Sequence, residues 1–308
     1  MTTFRILVAR NTKLFFKDKG MFFTALITPM ILLVLYATFL GNVFRDAFLS
    51  GIPEGISMPE ELVGGFVGGQ LISSILAVSC VTVAFCSNLL VVQDKANGTV
   101  RDLTVSPVSP ATLALSYYVS TFLTTLIICL AASVLCFIYV AVIGWYLSTL
   151  DVLLLLLDVV IMSLFGTAFS SAVNFFLSSQ GQMSAVGSIV SSCYGFICGA
   201  YMPISQFSEG LQRVIMFLPG TYGTSLFRNH ALDGVFREME VMHLPDECIS
   251  GVKRSIDASI FFFDREVSLG AMYLVVGAVT LALIGAYILL HMRRYKRKSE
   301  LSIEVQHF

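Results

Sequence analysis

Side chains able to do covalent chemistry are scattered along this sequence. The four histidines, His230, His243, His291 and His307, form no H-E-x-x-H or comparable pair. No G-x-S-x-G elbow is present. Cys80, Cys86, Cys129, Cys136, Cys193 and Cys198 lie inside apolar runs as small soft hydrophobes. Cys248 alone falls in a polar loop, and no pair has metal-ligand spacing. A G-x-x-x-x-G-K-[ST] phosphate loop is missing, so the chain does not hydrolyse ATP by that route alone. Asp158 is the one acid embedded in an apolar segment. Such acids are functional candidates, and the readings open to it are a structural hydrogen bond, a solvated vestibule or one group of a proton-coupled carrier.

What the spacing does offer is mechanical. Gln93–Pro110, QDKANGTVRDLTVSPVSP, is a charged island between two long apolar segments. Thr99 and Asp102 stand at capping-box spacing, and Val100 and Leu103 fall one turn apart on one side. Pro107 and Pro110 stop the helix. Either this is an ordinary solvated loop or it is a short rigid helix that receives a push from another protein.

The elements holding that island are membrane spans. The chain is 56% hydrophobic and 13% charged, with mean hydropathy +0.83, well beyond globular usage. Leu103–Leu150 and Val159–Ser208 carry no charged residue, and each is long enough for two crossings at about 20 residues per helix. The expected fold is therefore an all-α polytopic membrane protein.

Residues 1–20 form an amphipathic interface helix, with Phe4, Leu7, Val8, Leu14 and Phe15 on one face and Arg5, Arg10, Lys13 and Lys17 on the other. A signal peptide competes, but the apolar run is too long and lacks a small-residue cleavage site. Residues 21–201 hold five spans, beginning with Met21–Val43, which contains Pro29, and a loop over Arg45–Leu62. The second span carries a polar stripe with Gln70, Ser74, Ser87 and Asn88. The fourth contributes Asn174, and the fifth presents Ser184, Ser188, Ser191 and Gly195. These stripes read as intramolecular packing, a translocation surface or a dimer seam; Gly195 and Gly199 also make a GxxxG step. Residues 202–232 contain two segments too short to span, broken at Pro219-Gly220, and read as a re-entrant hairpin. Residues 233–266 form a small polar lobe, 267–291 the sixth span, and 292–308 a basic tail. Five basic residues precede the first span and five follow the last, against one in the first loop. The positive-inside rule puts both termini and the island in the cytoplasm.

From Phe4 to Lys298 the chain resembles the type-2 permeases of ATP-binding-cassette exporters, particularly those of the drug and antibiotic type. The basic N-terminal helix, KANGTVRDLTVSPVSP between spans two and three, the six-span layout and MPISQFSEGLQRVIMFLPGTYGTSLFR before the last span match in order. PGTYGTSLFR is similar to that family's Leu-Pro-x-x-Tyr re-entrant turn; the 233–266 lobe is longer than in its simplest members.

The resemblance implies two separate ATPase subunits that bind the ATP and Mg, with no cofactor on this chain. It also implies a second permease copy or related chain, contact with membrane lipid and no nucleic acid. It assigns ATPase coupling to Lys95, Gly98, Thr99, Val100, Arg101, Asp102 and Leu103, with Arg10, Lys13 and Lys17 alongside. The path falls to the polar residues of spans two, four and five named above, and the outer gate to Pro219 and Tyr222. The implied function is efflux of an amphipathic or lipid-like compound from a bacterial or archaeal plasma membrane, with polysaccharide export the alternative. An ion-coupled carrier lacks the embedded charges it needs.

A reporter at Ser299 tests the topology. Ser299→Cys is expected to resist a membrane-impermeant thiol reagent in intact cells while native Cys248 reacts. Labelling of Ser299→Cys from outside overturns the six-span arrangement.

Overall fold

Glu60–Ser87 (α4) is the helix around which the others assemble. Its run of Gly, Ser, Ala and Val leaves a thin, smooth cylinder, and neighbours close on every side of it. In the computed structural model, which describes residues 2–306 except 53–55, 106–107 and 264, α4 meets most of the other long helices. Close approach explains the small residues, because apolar helices in lipid gain affinity from contact area rather than from water release. A Cβ on Gly69 would stand 2.8 Å from the Ala231 carbonyl oxygen, and one on Gly166 would overlap the carbonyl of Cys80.

Before α4 come Thr2–Lys17 (α1), Lys19–Leu35 (α2) and Gly41–Ser50 (α3). Asp18 caps α2, its Oδ1 accepting from the Met21 N–H at 3.1 Å. α2 holds Pro29 internally, and a π-helical stretch, Tyr36–Leu40, joins α2 to α3. The first span therefore runs to Ser50, past the expected loop start at Arg45; the π turn keeps the chain helical through the polar exit.

Leu89–Ala96 (α5) continues α4 after a break at Asn88, and Thr99–Val105 (α6) forms the island helix. Pro107 lies outside the described residues. Pro110 starts a helix rather than ending one, being the first residue of Pro110–Ile143 (α7), where a proline's missing N–H costs nothing. Thr149–Phe175 (α8) opens with a capping box of Ser148 and Asp151.

Gln180–Ile197 (α9) occupies the expected fifth span. Among the described residues five stretches are long and apolar enough to cross a bilayer, 19–50, 60–96, 110–143, 149–175 and 269–293, and α9 is not one of them. α9 has 18 residues, about 27 Å at 1.5 Å per residue, and its Gln, Gly and Ser content keeps it less apolar than those five.

Glu209–Ile215 (α10) and Pro219–Val241 (α11) are the two limbs of the hairpin. α11 runs eight residues past the expected boundary at 233, because Arg237 pairs with Asp233 one turn back and with Asp151 of α8, both at 2.5 Å. The lobe therefore begins at Met242, and its described elements are Asp246–Ser255 (α12) and a two-stranded hairpin, Phe261–Phe262 (β1) with Arg265–Glu266 (β2). Leu269–Gln306 (α13) continues from the last span into the tail without a break.

Gly166→Leu is expected to overpack the α4–α8 contact, at about 1–3 kcal/mol, and to lower the midpoint of thermal unfolding in detergent. Gly187→Leu, whose site is open space, serves as the tolerant control. Equal midpoints for the two variants would contradict the close α4–α8 approach.

Candidate coupling site and transport surface

The island is anchored from three directions. Asp94, at the end of α5, is buried, and its Oδ2 accepts from Arg10 Nη1 at 2.8 Å and from the Tyr117 hydroxyl at 2.7 Å. That carboxylate holds α1 and α7 together, and its hydrogen bond raises the Arg10 pKa further above its ordinary value. The next residue turns the other way. Lys95 Nζ donates to the carbonyls of Asn174, Phe175 and Leu177 at 2.7, 3.2 and 3.2 Å, capping the C-terminus of α8 where orphan carbonyls and the helix dipole favour a cation.

Gly98 then takes φ +81°, a backbone conformation that glycine adopts freely, and its carbonyl accepts from the N–H groups of Arg101 and Asp102. Gly98 thus starts α6, with Thr99 as its first residue rather than the expected cap. Val100 and Leu103 turn inward and pack with Leu7, Val91, Leu113 and Tyr117. Half-buried there, they seat α6 on its own bundle, while Arg101 and Asp102 are exposed.

α1 differs from expectation as well. Its buried line is Leu7, Asn11 and Phe15, and Arg10 leaves the basic face for Asp94. Lys13 and Lys17 remain exposed. Leu14, expected inside, is exposed, because the face of α1 turned to α7 is the one that carries Leu7, Asn11 and Phe15, four residues apart.

The polar stripes divide into two sets. Gln70, Ser74, Ser87, Asn88 and Asn174 are all buried within the bundle. Ser74 Oγ donates to the Ala200 carbonyl at 2.7 Å, and Asn88 Nδ2 donates to Ser170 and Ser171 Oγ, both at 3.1 Å. The side chains of Gln70 and Asn174 have no hydrogen-bond partner among the described residues. Ser184 and Ser188 of α9 are exposed, Ser191 is half-buried, and Gly195 is buried against the Tyr201 ring of its own chain. The sequence stripes thus do not meet on one surface.

At the turn of the hairpin, Pro219 is the first residue of α11. Tyr222 reaches back, its hydroxyl donating to the Met216 carbonyl at 2.6 Å, and Thr221 Oγ1 donates to the Ile215 carbonyl at 3.1 Å. The loop between α10 and α11 is thereby closed on itself.

Two buried ionic groups have partners that the sequence reading did not find. Asp158 is fully buried, with His230 Nδ1 at 2.6 Å from its Oδ2 and the Tyr273 hydroxyl donating to Oδ1 at 2.5 Å. This joins α8, α11 and α13, and of the three readings open to Asp158 it matches the structural hydrogen bond. The signal was available: Asp151 and Asp158 are seven apart, as are His230 and Arg237, the spacing two antiparallel helices need for paired charges.

Arg228 is also buried. It donates to the Gly199 carbonyl at 2.5 Å and pairs with Asp257 Oδ2 at 3.2 Å, and that same oxygen accepts from the Ile204 N–H at 2.7 Å. Burial raises the Asp257 pKa, against the opposing pull of Arg228 and the Ile204 N–H. Nothing local in the sequence links these residues, because Asp257 belongs to the lobe and Gly199 to the end of the α9 segment.

Residues 2–231 match the family described as ABC-2 type transporter, while no curated protein matches the chain. The match covers α1, the coupling loop, α7–α9 and the turn at Pro219, and stops within α11. The chain belongs to the ABC-2 type transporter family, as a membrane-spanning permease component.

Proposed function

We propose that this permease is the transmembrane half of an ATP-driven exporter that moves an amphipathic or lipid-like compound outward across a plasma membrane. α6 carries the reading. A short helix whose apolar side is seated on α1, α5 and α7, and whose Arg101 and Asp102 are exposed, offers an ionic surface to another protein. Two ATPase subunits, which bind the ATP and Mg, dock there, with Lys13 and Lys17 of α1 beside them. A second copy of the permease, or a related chain, completes the pore. Both termini lie in the cytoplasm.

The transported compound passes along the α9 face carrying Ser184, Ser188 and Ser191, enclosed once two permeases meet. Weakly polar hydroxyls on an otherwise apolar helix suit a substrate with a large apolar body. Gln70, Ser74, Ser87, Asn88 and Asn174 then serve packing, since each is enclosed by its own protomer. The turn at Pro219 and Tyr222 closes the outer end. Removal of drugs from the cell is the physiological role that fits, in a bacterial or archaeal host.

Two experiments test this. Arg101→Glu combined with Asp102→Lys inverts the exposed charges of α6 without touching its seat. Co-purification of the ATPase and transport are expected to fall by about tenfold or more, equivalent to ~1.4 kcal/mol, with unfolding unchanged; normal transport would dismiss α6 as the docking surface. Separately, Ser188→Trp is expected to reduce transport while the permease pair stays assembled by size exclusion, with Ile189→Met as a silent control. Loss of assembly without a prior loss of transport would make the α9 face a seam between copies instead.

A further inference from the structure

We propose that α8 is a strut that carries displacement of the coupling loop to the outer re-entrant hairpin, with Lys95 and Asp158 as the positioning residues at its two ends. The inference rests on reading α6 as the ATPase-docking element. Lys95, four residues before α6 begins, holds three carbonyls at the C-terminal end of α8. Toward the other end, Asp158 is bonded to His230 of α11 and Tyr273 of α13, and Asp151 to Arg237 of α11.

Between these grips α8 contains no proline and no π turn. From Asp158 to Phe175 is about 25 Å of continuous helix at 1.5 Å per residue. Its middle is held sideways, since Gly166 lies against the Cys80 backbone, so the helix is braced against bending.

The alternatives are poorer struts. α2 contains Pro29 and runs into a π turn, and α4–α5 breaks at Asn88. α7 is unbroken and meets Asp94 through Tyr117, but its outer half, from Leu126 to Ile143, carries no charged group. Among the described residues, α8 is tied through Lys95 to the coupling loop and through Asp151 and Asp158 to the hairpin.

Nor are the bonds at the outer end slack. Asp158 is fully buried between His230 and Tyr273, so the carboxyl group cannot move without taking α11 along or losing a hydrogen bond. His230 and Arg237 lie two turns apart on α11, so the grip resists rotation of α11 as well as sliding. From His230 the same helix runs back along α8, where Gly223 lies against Met162, to Tyr222 and the turn at Pro219.

Hydrogen exchange of the permease alone in nanodiscs tests the strut without needing the ATPase. Lys95→Met at the cytoplasmic end is expected to speed amide exchange in residues 216–224, at the hairpin turn, by at least about fivefold, the lower end of site-to-site coupling. Lys95→Arg, which keeps the cation on the carbonyls, is expected to restore the native rate. Asp158→Asn is expected to act in reverse, speeding exchange in residues 93–103, and the double variant to add less than the two single effects together. Faster exchange confined to the neighbourhood of each substitution, or strictly additive effects, would overturn the strut. Because ATPase docking plays no part in this measurement, failure of the charge-inverted α6 and failure of the strut are separately visible.

Discussion

An ionisable group enclosed in an apolar bundle is stable only where hydrogen bonds or an opposite charge meet it, and this constraint decides how the helices of the permease meet. Asp94 draws α1 and α7 to the coupling loop, Asp158 joins α8 to α11 and α13, and Asp257 fixes the outer lobe to Arg228. Each pair spans elements distant in sequence. Apolar contact in lipid is nondirectional and gives helices little reason to choose one rotation over another. The buried ions choose it for them, and the glycines of α4 and α8 then let the chosen faces approach.

The same constraint explains why charged residues of the coupling loop serve two purposes. Asp94 and Lys95 are adjacent, yet one looks toward α1 and the other toward α8. Their opposite signs select opposite partners, a guanidinium for the carboxylate and a helix C-terminus for the ammonium. A loop of this size thereby acquires a defined orientation without a core of its own. α6 needs only Val100 and Leu103 to be seated, which leaves Arg101 and Asp102 outside.

Much of this was legible in the sequence. Long apolar runs gave the helices, the sorted Lys and Arg residues gave an expected orientation, and Pro219-Gly220 marked the re-entrant turn. Helix direction of burial was less legible. A helical wheel drawn on α1 puts Arg10 in solvent, because a wheel cannot see the Asp94 carboxylate 84 residues away. It likewise leaves the seat of Val100 and Leu103 open, since an apolar pair looks the same whether its groove belongs to the same chain or another. The polar stripe of α4 left its readings open for a related reason: small hydroxyl residues suit both a pore and a tight helix contact. Asp158 seemed to lack a basic partner only because His230 lies 72 residues on, and the matching seven-residue spacings become meaningful only once α8 and α11 are known to run antiparallel.

The Arg228–Asp257 pair also constrains the birth of the protein. Arg228 leaves the ribosome 29 residues ahead of its counter-ion. At about 5–20 residues per second, α11 waits a few seconds with an uncompensated guanidinium. During that interval the hairpin cannot settle between α4, α8 and α9 at acceptable cost. Docking of the hairpin therefore waits for the lobe that carries Asp257. The α10–α11 hairpin is, by this chemistry, among the last parts of the molecule to take its place.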